Sequence, residues 1–147
     1  MSTTAGPVFR KSFPARGLAT GDYNNDGRID VLIGNCNEAP LLLKNNAGAG
    51  NQWIGLHLQG VKCNRDAIGA RIAWSADGIL RSRLKRSGGS YLSSHDPREV
   101  LGLGKANRLD WIEVRWPDPS GLVERFTSLH IGKYHRVIEG SGERRRP

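Results

Sequence analysis

From residue 51 onward the chain places apolar side chains at every second position. Ile54, Leu56 and Leu58 alternate with Trp53, Gly55 and His57. Ile68, Ala70, Ile72 and Trp74 alternate with Gly69, Arg71 and Ala73, and Ile112, Val114 and Trp116 alternate with Trp111, Glu113 and Arg115. A period of two is the signature of a half-buried strand, because successive side chains leave opposite faces. Asp77-Gly78 supplies a tight hairpin turn, Gly88-Gly89 breaks the segment that follows, and Pro117-Asp118-Pro119-Ser120-Gly121 is a second strong turn. Leu122 to Thr127 and Tyr134 to Glu139 add further strands. No stretch carries a helical period of useful length, and at most one helical turn is expected, at Asp96 to Leu101.

The first third is patterned differently. Residues 1–16, with Pro7 and Pro14, read as an irregular lead-in. A polar loop at 22–30 runs into Val31-Leu32-Ile33, and a turn through Asn37 to Pro40 leads to Leu41-Leu42-Leu43. That is strand, loop, strand. The small residues between Asn46 and Asn51 mark the candidate boundary. The expected organisation is a unit at 17–50, a β domain at 51–140 and a basic tail at 141–147. The fold class is all-β: an antiparallel sandwich or barrel-like domain preceded by a loop-bearing β-hairpin.

Composition narrows the function classes. The chain of 147 residues has no apolar run long enough for a membrane-spanning helix. Its start lacks the apolar stretch of a secretory signal, so an exported mature form is expected to be a fragment, a processed piece or to use another route. The net charge of +8 favours polyanions in a diffuse way, and the tail accounts for only a small part of it. Cys36 and Cys63 have no zinc-type spacing and leave two possibilities, free thiols or one disulfide.

The sharpest chemistry lies in Asp22-Tyr23-Asn24-Asn25-Asp26-Gly27-Arg28-Ile29-Asp30. Asp22, Asn24, Asp26 and Asp30 occupy positions 1, 3, 5 and 9, the Arg28 carbonyl sits at position 7, and Gly27 permits a sharp reversal. Alternating oxygens in a tight loop suit one Ca²⁺, which accepts several oxygens in flexible geometry, better than Mg²⁺. The pattern departs from an EF-hand, because position 12 is Ile33 and the flank is a strand. Asp, Asn and Gly are also ordinary turn formers.

Residues 17–46, with DYNNDGRIDVLIGN followed by PLLLKNN, resemble one FG-GAP/VCBS-type repeat, the calcium-loop unit of integrin-like β-propellers. Residues 51–139 resemble the ASPIC/UnbV domain of cartilage acidic protein-like proteins, through NQWIGLHLQG, NRDAIGARI, GGSYLSS, LGLG, IEVRWPDPSG and VIEG. The resemblance implies an exported, non-catalytic adhesion or interaction module with one structural Ca²⁺. A single repeat cannot close a propeller, which needs about four blades or more, so the repeat is expected to fold against the second domain and the chain to be the C-terminal part of a longer protein.

Other constellations are weaker. Arg81, Arg83 and Lys85 share one strand face opposite Leu80 and Leu84, which offers a glycan or polyanion contact or a solvated edge-protecting face. Trp53 and Trp111 lie on the outer faces of their strands, as a sugar-stacking platform or as rings covered by a neighbouring segment. Asn64-Arg65-Asp66 reads as a turn closed by an Asp–Arg pair. Ser93-Ser94-His95-Asp96 holds the residue types of a hydrolytic triad without a nucleophile elbow, and the four histidines have no metal spacing, so no enzyme is expected. Nucleic acid is not an expected partner, because aromatic residues do not interleave with the basic ones. A protein or glycan partner is.

Overall fold

The structure is a computed structural model that describes residues 6–145; residues 1–5 of the lead-in and 146–147 of the tail lie outside the described residues. A short 3-10 turn, Pro7–Arg10, precedes the strands β1 Ala15–Gly21, β2 Asp30–Asn35, β3 Leu41–Leu43, β4 Gln52–Gln59, β5 Arg71–Ala76 and β6 Ile79–Leu84. The remainder are β7 Glu99–Gly104, β8 Leu109–Arg115, β9 Val123–Phe126, β10 Tyr134–Ile138 and β11 Glu143–Arg145.

These strands build three sheets. β1, β2 and β3 form a small antiparallel sheet. β10, β4 and β7 form the second, in which β10 runs parallel to β4 and β7 antiparallel to it. The third is antiparallel, in the order β11-β9-β8-β5-β6. The second and third sheets share one core and make a sandwich; neither closes into a barrel.

The alternation in the sequence becomes the core directly. Ile54, Leu56 and Leu58 of β4, with Leu101 and Leu103 of β7, meet Ile72 and Trp74 of β5 and Ile112 and Val114 of β8, and Trp116 closes the layer just beyond β8. All are buried, which is the apolar burial that stabilises a sandwich of this size. The helical turn expected at Asp96 to Leu101 does not form. Glu99 to Gly104 is a strand instead, with Leu101 opposite Ile54. Leu101 and Leu103 are both buried around an exposed Gly102, a period of two, and glycines at 102 and 104 oppose a helix. The first residues of the basic tail are also structured, since β11 pairs with β9.

Two buried carboxylates replace missing backbone partners. Glu124, fully buried, accepts hydrogen bonds from Trp116 Nε1 at 2.6 Å, the Gly140 amide at 2.9 Å and the Gly142 amide at 2.8 Å. Glu139 accepts the amides of Val61, Lys62 and Cys63 at 2.6, 2.8 and 3.1 Å, which ties the loop after β4 to the end of β10. Burial alone would push the Glu139 carboxyl up; hydrogen bonds from Ser120 and these amides outweigh it and pull the value from 4.5 down to about 2. Burial, followed by the neighbouring Glu139, pushes the Cys63 thiol up to about 11, so it packs as a neutral thiol. Both cysteines are free.

A pH dependence follows. The folded-state value of Glu139 lies below its ordinary 4.5, so its contribution is complete above that pH and is lost as pH falls toward about 2. We expect stability measured by urea unfolding to fall by up to about 3 kcal/mol across this window from Glu139 alone. Glu139→Gln should remove that segment of the curve; an unaltered acid limb would show that the carboxylate charge is not what the three amides hold.

Candidate functional site at the acidic loop

The turn from β1 to β2 is the acidic loop, and its two ends are buried: Asp22 is 1% exposed and Asp30 2%. Asp22 Oδ1 accepts the Asp26 amide at 3.0 Å and Oδ2 the Gly27 amide at 2.8 Å. Asp30 Oδ2 accepts the Tyr23 amide at 3.3 Å, and Oδ1 accepts the Asn45 amide at 2.8 Å, which anchors the connector after β3. Asn25 and Gly27 take positive φ, 58° and 80°, which coils the loop. Gly27 has a second reason to be glycine: a Cβ there would lie 2.1 Å from the Trp53 ring.

The loop is seated on the sandwich. Tyr134 of β10 donates its hydroxyl to Asp22 Oδ2 at 2.8 Å. Tyr134 crosses Gly55, where a Cβ would be 2.1 Å from its ring, and packs edge-to-face on Trp53 at 5.2 Å between centroids. The Arg98 guanidinium stacks over Tyr134 at 4.2 Å. It also donates to the Asp22 carbonyl at 3.0 Å and to Asn25 Oδ1 at 2.7 Å, and pairs with Asp96 at 2.6 Å. Desolvation raises the Asp96 carboxyl, but hydrogen bonds and charge from Arg98 hold it below its usual value. Burial, then the hydrogen bond to the Asp22 carboxylate, pushes the Tyr134 hydroxyl up, so it stays a donor.

Asp26 behaves differently from its two neighbours. It is engaged by Asn24 Nδ2 at 2.8 Å, by the Arg28 amide at 2.9 Å and by an ion pair with the Arg28 guanidinium. Desolvation works against its ionisation, yet these donors and the charges of Arg28 and Lys44 keep its pKa lowered. Arg28 also donates from Nε to the Asn45 carbonyl at 2.8 Å. Among the described residues, no three His, Cys, Asp or Glu side chains are grouped so as to hold a metal ion. In donor chemistry the loop nevertheless fits a hard cation: its oxygens are carboxylates, an amide and a carbonyl, and neither Asp22 nor Asp30 has an ion-pair partner among the described residues.

The remaining candidates separate. Of Arg81, Arg83 and Lys85, Lys85 is withdrawn from the surface, so the three do not form one exposed basic ladder. Lys85, just past β6, is 2% exposed, with its ammonium on the Pro97 carbonyl and 3.8 Å from Glu99. Arg83 reaches the Val100 carbonyl at 3.1 Å and Glu99 at 3.2 Å. Lys85 faces inward while Arg83 stays half-exposed, and the two clamp edge strand β6 of one sheet to β7 of the other, with Leu80 and Leu84 exposed. The Lys85 charge sits inside because Glu99 and the Pro97 carbonyl satisfy it. Trp53 and Trp111 lie on different sheets and build no common platform; Arg125 stacks over Trp111 at 4.2 Å. Asn64, bonded through its side chain to both backbone groups of Ile68, closes the 64–68 turn, in place of an Asp66–Arg65 pair. Ser93, His95 and Asp96 form no relay: Ser93 Oγ donates to the Tyr91 carbonyl, His95 Nδ1 accepts the Thr20 amide, and Asp96 pairs with Arg98.

Sequence patterns missed Tyr134 and Arg98, which lie 112 and 76 residues from Asp22. Neither sits in a motif; only the parallel pairing of β10 with β4 delivers Tyr134 to Gly55.

A family model described as ASPIC and UnbV matches residues 60–144. Cartilage acidic protein 1 of Xenopus tropicalis is 29% identical over 106 residues, an alignment covering 69% of this chain and 16% of that protein. The chain therefore spans about one sixth of the length of this relative.

If the loop is seated by these contacts, Tyr134→Phe should lower stability by about 1–3 kcal/mol, the range for a lost hydrogen bond to a buried charge. It should also speed amide hydrogen exchange at 22–30 more than in the β5–β8 core. Gly27→Ala should cost more, through both its φ and Trp53. Equal acceleration over the whole chain in both variants would mean that the loop and sandwich open as one unit.

Proposed function

Because the chain belongs to the ASPIC and UnbV family, we propose that it is a non-catalytic interaction module of a longer, exported protein, stabilised by one Ca²⁺ in the loop 22–30. The carrying observation is the pair of buried carboxylates, Asp22 and Asp30, which are satisfied only by uncharged donors. Arg98 offsets part of the Asp22 charge, but neither carboxylate has an ion-pair partner among the described residues, and a bound divalent ion would lower the cost that leaves. The likeness of residues 17–46 to an FG-GAP/VCBS-type calcium repeat supports the same reading and is independent of the family match, which begins at residue 60.

The residues that would hold the ion are Asp22, Asn24, Asp26 and Asp30, with the carbonyl of Arg28. The ion supplies charge compensation and fixes the loop; it performs no reaction. Arg28 competes for Asp26, so the affinity belongs with weak extracellular sites, on the order of 10⁻⁴–10⁻³ M. The module character rests on the fold: the hydrolytic residue types are dispersed into structural contacts, and the relative that shares this segment is far longer.

Thermal unfolding tests the proposal. Ca²⁺ at about 100 times its Kd should stabilise by roughly 2.7 kcal/mol over EDTA, and Mg²⁺ by much less at matched ionic strength. Asp26→Asn should reduce the effect, and Arg28→Ala should tighten Ca²⁺ binding by removing the competing cation. A melting temperature identical in Ca²⁺, Mg²⁺ and EDTA would overturn the metal reading.

A further inference from the structure

A cavity of about 540 Å³ lies between the acidic hairpin and the clamped edge of the sandwich. Its wall includes Ile29 and Val100, which are apolar, and a set of charged groups. Most of that charge is already matched. Arg83 is paired with Glu99, Arg98 with Asp96, and the carboxylate of Asp22 is occupied by two amides and Tyr134.

Two wall groups remain, and both are donors. The Arg86 guanidinium has no hydrogen bond or ion pair among the described residues. His95 accepts the Thr20 amide at Nδ1, 3.1 Å away, so its ring proton sits on Nε2. Nε2 in turn has no hydrogen-bond partner among the described residues. Gly89 keeps that nitrogen clear of any side chain, since a Cβ there would lie 1.9 Å from it.

A permanent cation and an N–H on one wall, with apolar stretches and in a cavity of small-molecule size, complement an oxyanion. We propose that this cavity binds a small organic oxyanion, a carboxylate or a sulfate or phosphate monoester on a compact apolar body, held by Arg86 and by His95 Nε2–H. Arg83 shares this wall but is paired with Glu99, and the site does not depend on Ca²⁺ in the loop.

NMR titration with benzoate, phenyl sulfate and phenyl phosphate tests this, at constant ionic strength, with Ca²⁺ and again with EDTA. At least one probe should give saturable shifts at residues 86–89 and 95, with roughly millimolar Kd, and the tightest probe identifies the head group. Arg86→Gln and His95→Phe should each weaken binding about fivefold or more, and Gly89→Ala should block it. Arg144→Ser with Arg145→Ser should leave it unchanged. The proposal is overturned if no probe saturates, if Arg86→Gln binds like the parent chain, or if neutral benzyl alcohol reproduces the shifts. Saturable binding in EDTA alongside an absent Ca²⁺ effect would remove the metal reading and leave this one intact.

Discussion

The arrangement of this molecule depends on one buried carboxylate, Asp22. An aspartate taken out of water must have each oxygen answered, and here the answers come from both directions. The Asp26 and Gly27 amides bind from within the loop, and Tyr134 binds from the far end of the chain. The first two interactions shape the loop; the third decides where it sits. Trp53, Gly55, Gly27 and Arg98 then follow as shape complementarity around that bond, with Gly55 making room for Tyr134 and Gly27 for Trp53. The small N-terminal sheet is held on the sandwich by polar contacts at its loop, and by Ser90 and His95 on the amides of β1.

The same economy recurs inside the sandwich. Asp22, Asp30, Glu124 and Glu139 are buried acids, whereas Lys85 is the single buried base among the described residues. Each acid accepts backbone amides that would otherwise be orphaned in turns. The charge facing solvent is therefore more positive than the formal +8 of the chain. A protein that spends its carboxylates on its own backbone has fewer left to balance its arginines outside.

Much of the sandwich was legible because a strand with one buried face must alternate. The core residues of β4, β5 and β8 were readable one by one, and the acidic loop stood out as a spacing of oxygens. Alternation does not state which face is inward on an edge strand. Arg83 and Lys85 do share a face, as the spacing required, but both reach Glu99 and Lys85 is buried there, while the leucines opposite look outward. The six residues from Asp96 to Leu101 were too few to separate a helical turn from the start of β7 until the partner Ile54 was known. The seat of the loop was invisible for a different reason: Asp22, Arg98 and Tyr134 have no local relation, and their meeting is a property of topology.

The pairing of β10 beside β4 has a further consequence, in time rather than in space. Tyr134 aligns with Gly55 and Ile138 with Gln59, so β4 lacks one neighbour until about 80 further residues have been made. Contacts of such sequence separation are slow to form, because a long loop must close before they reward it. During synthesis the hairpin of β5 and β6 is complete early, while β4 waits with Ile54 and Leu56 uncovered. A truncation that removes β10 leaves that strand with an open edge and the acidic loop without its anchor, and exposed edges of this kind invite association between chains.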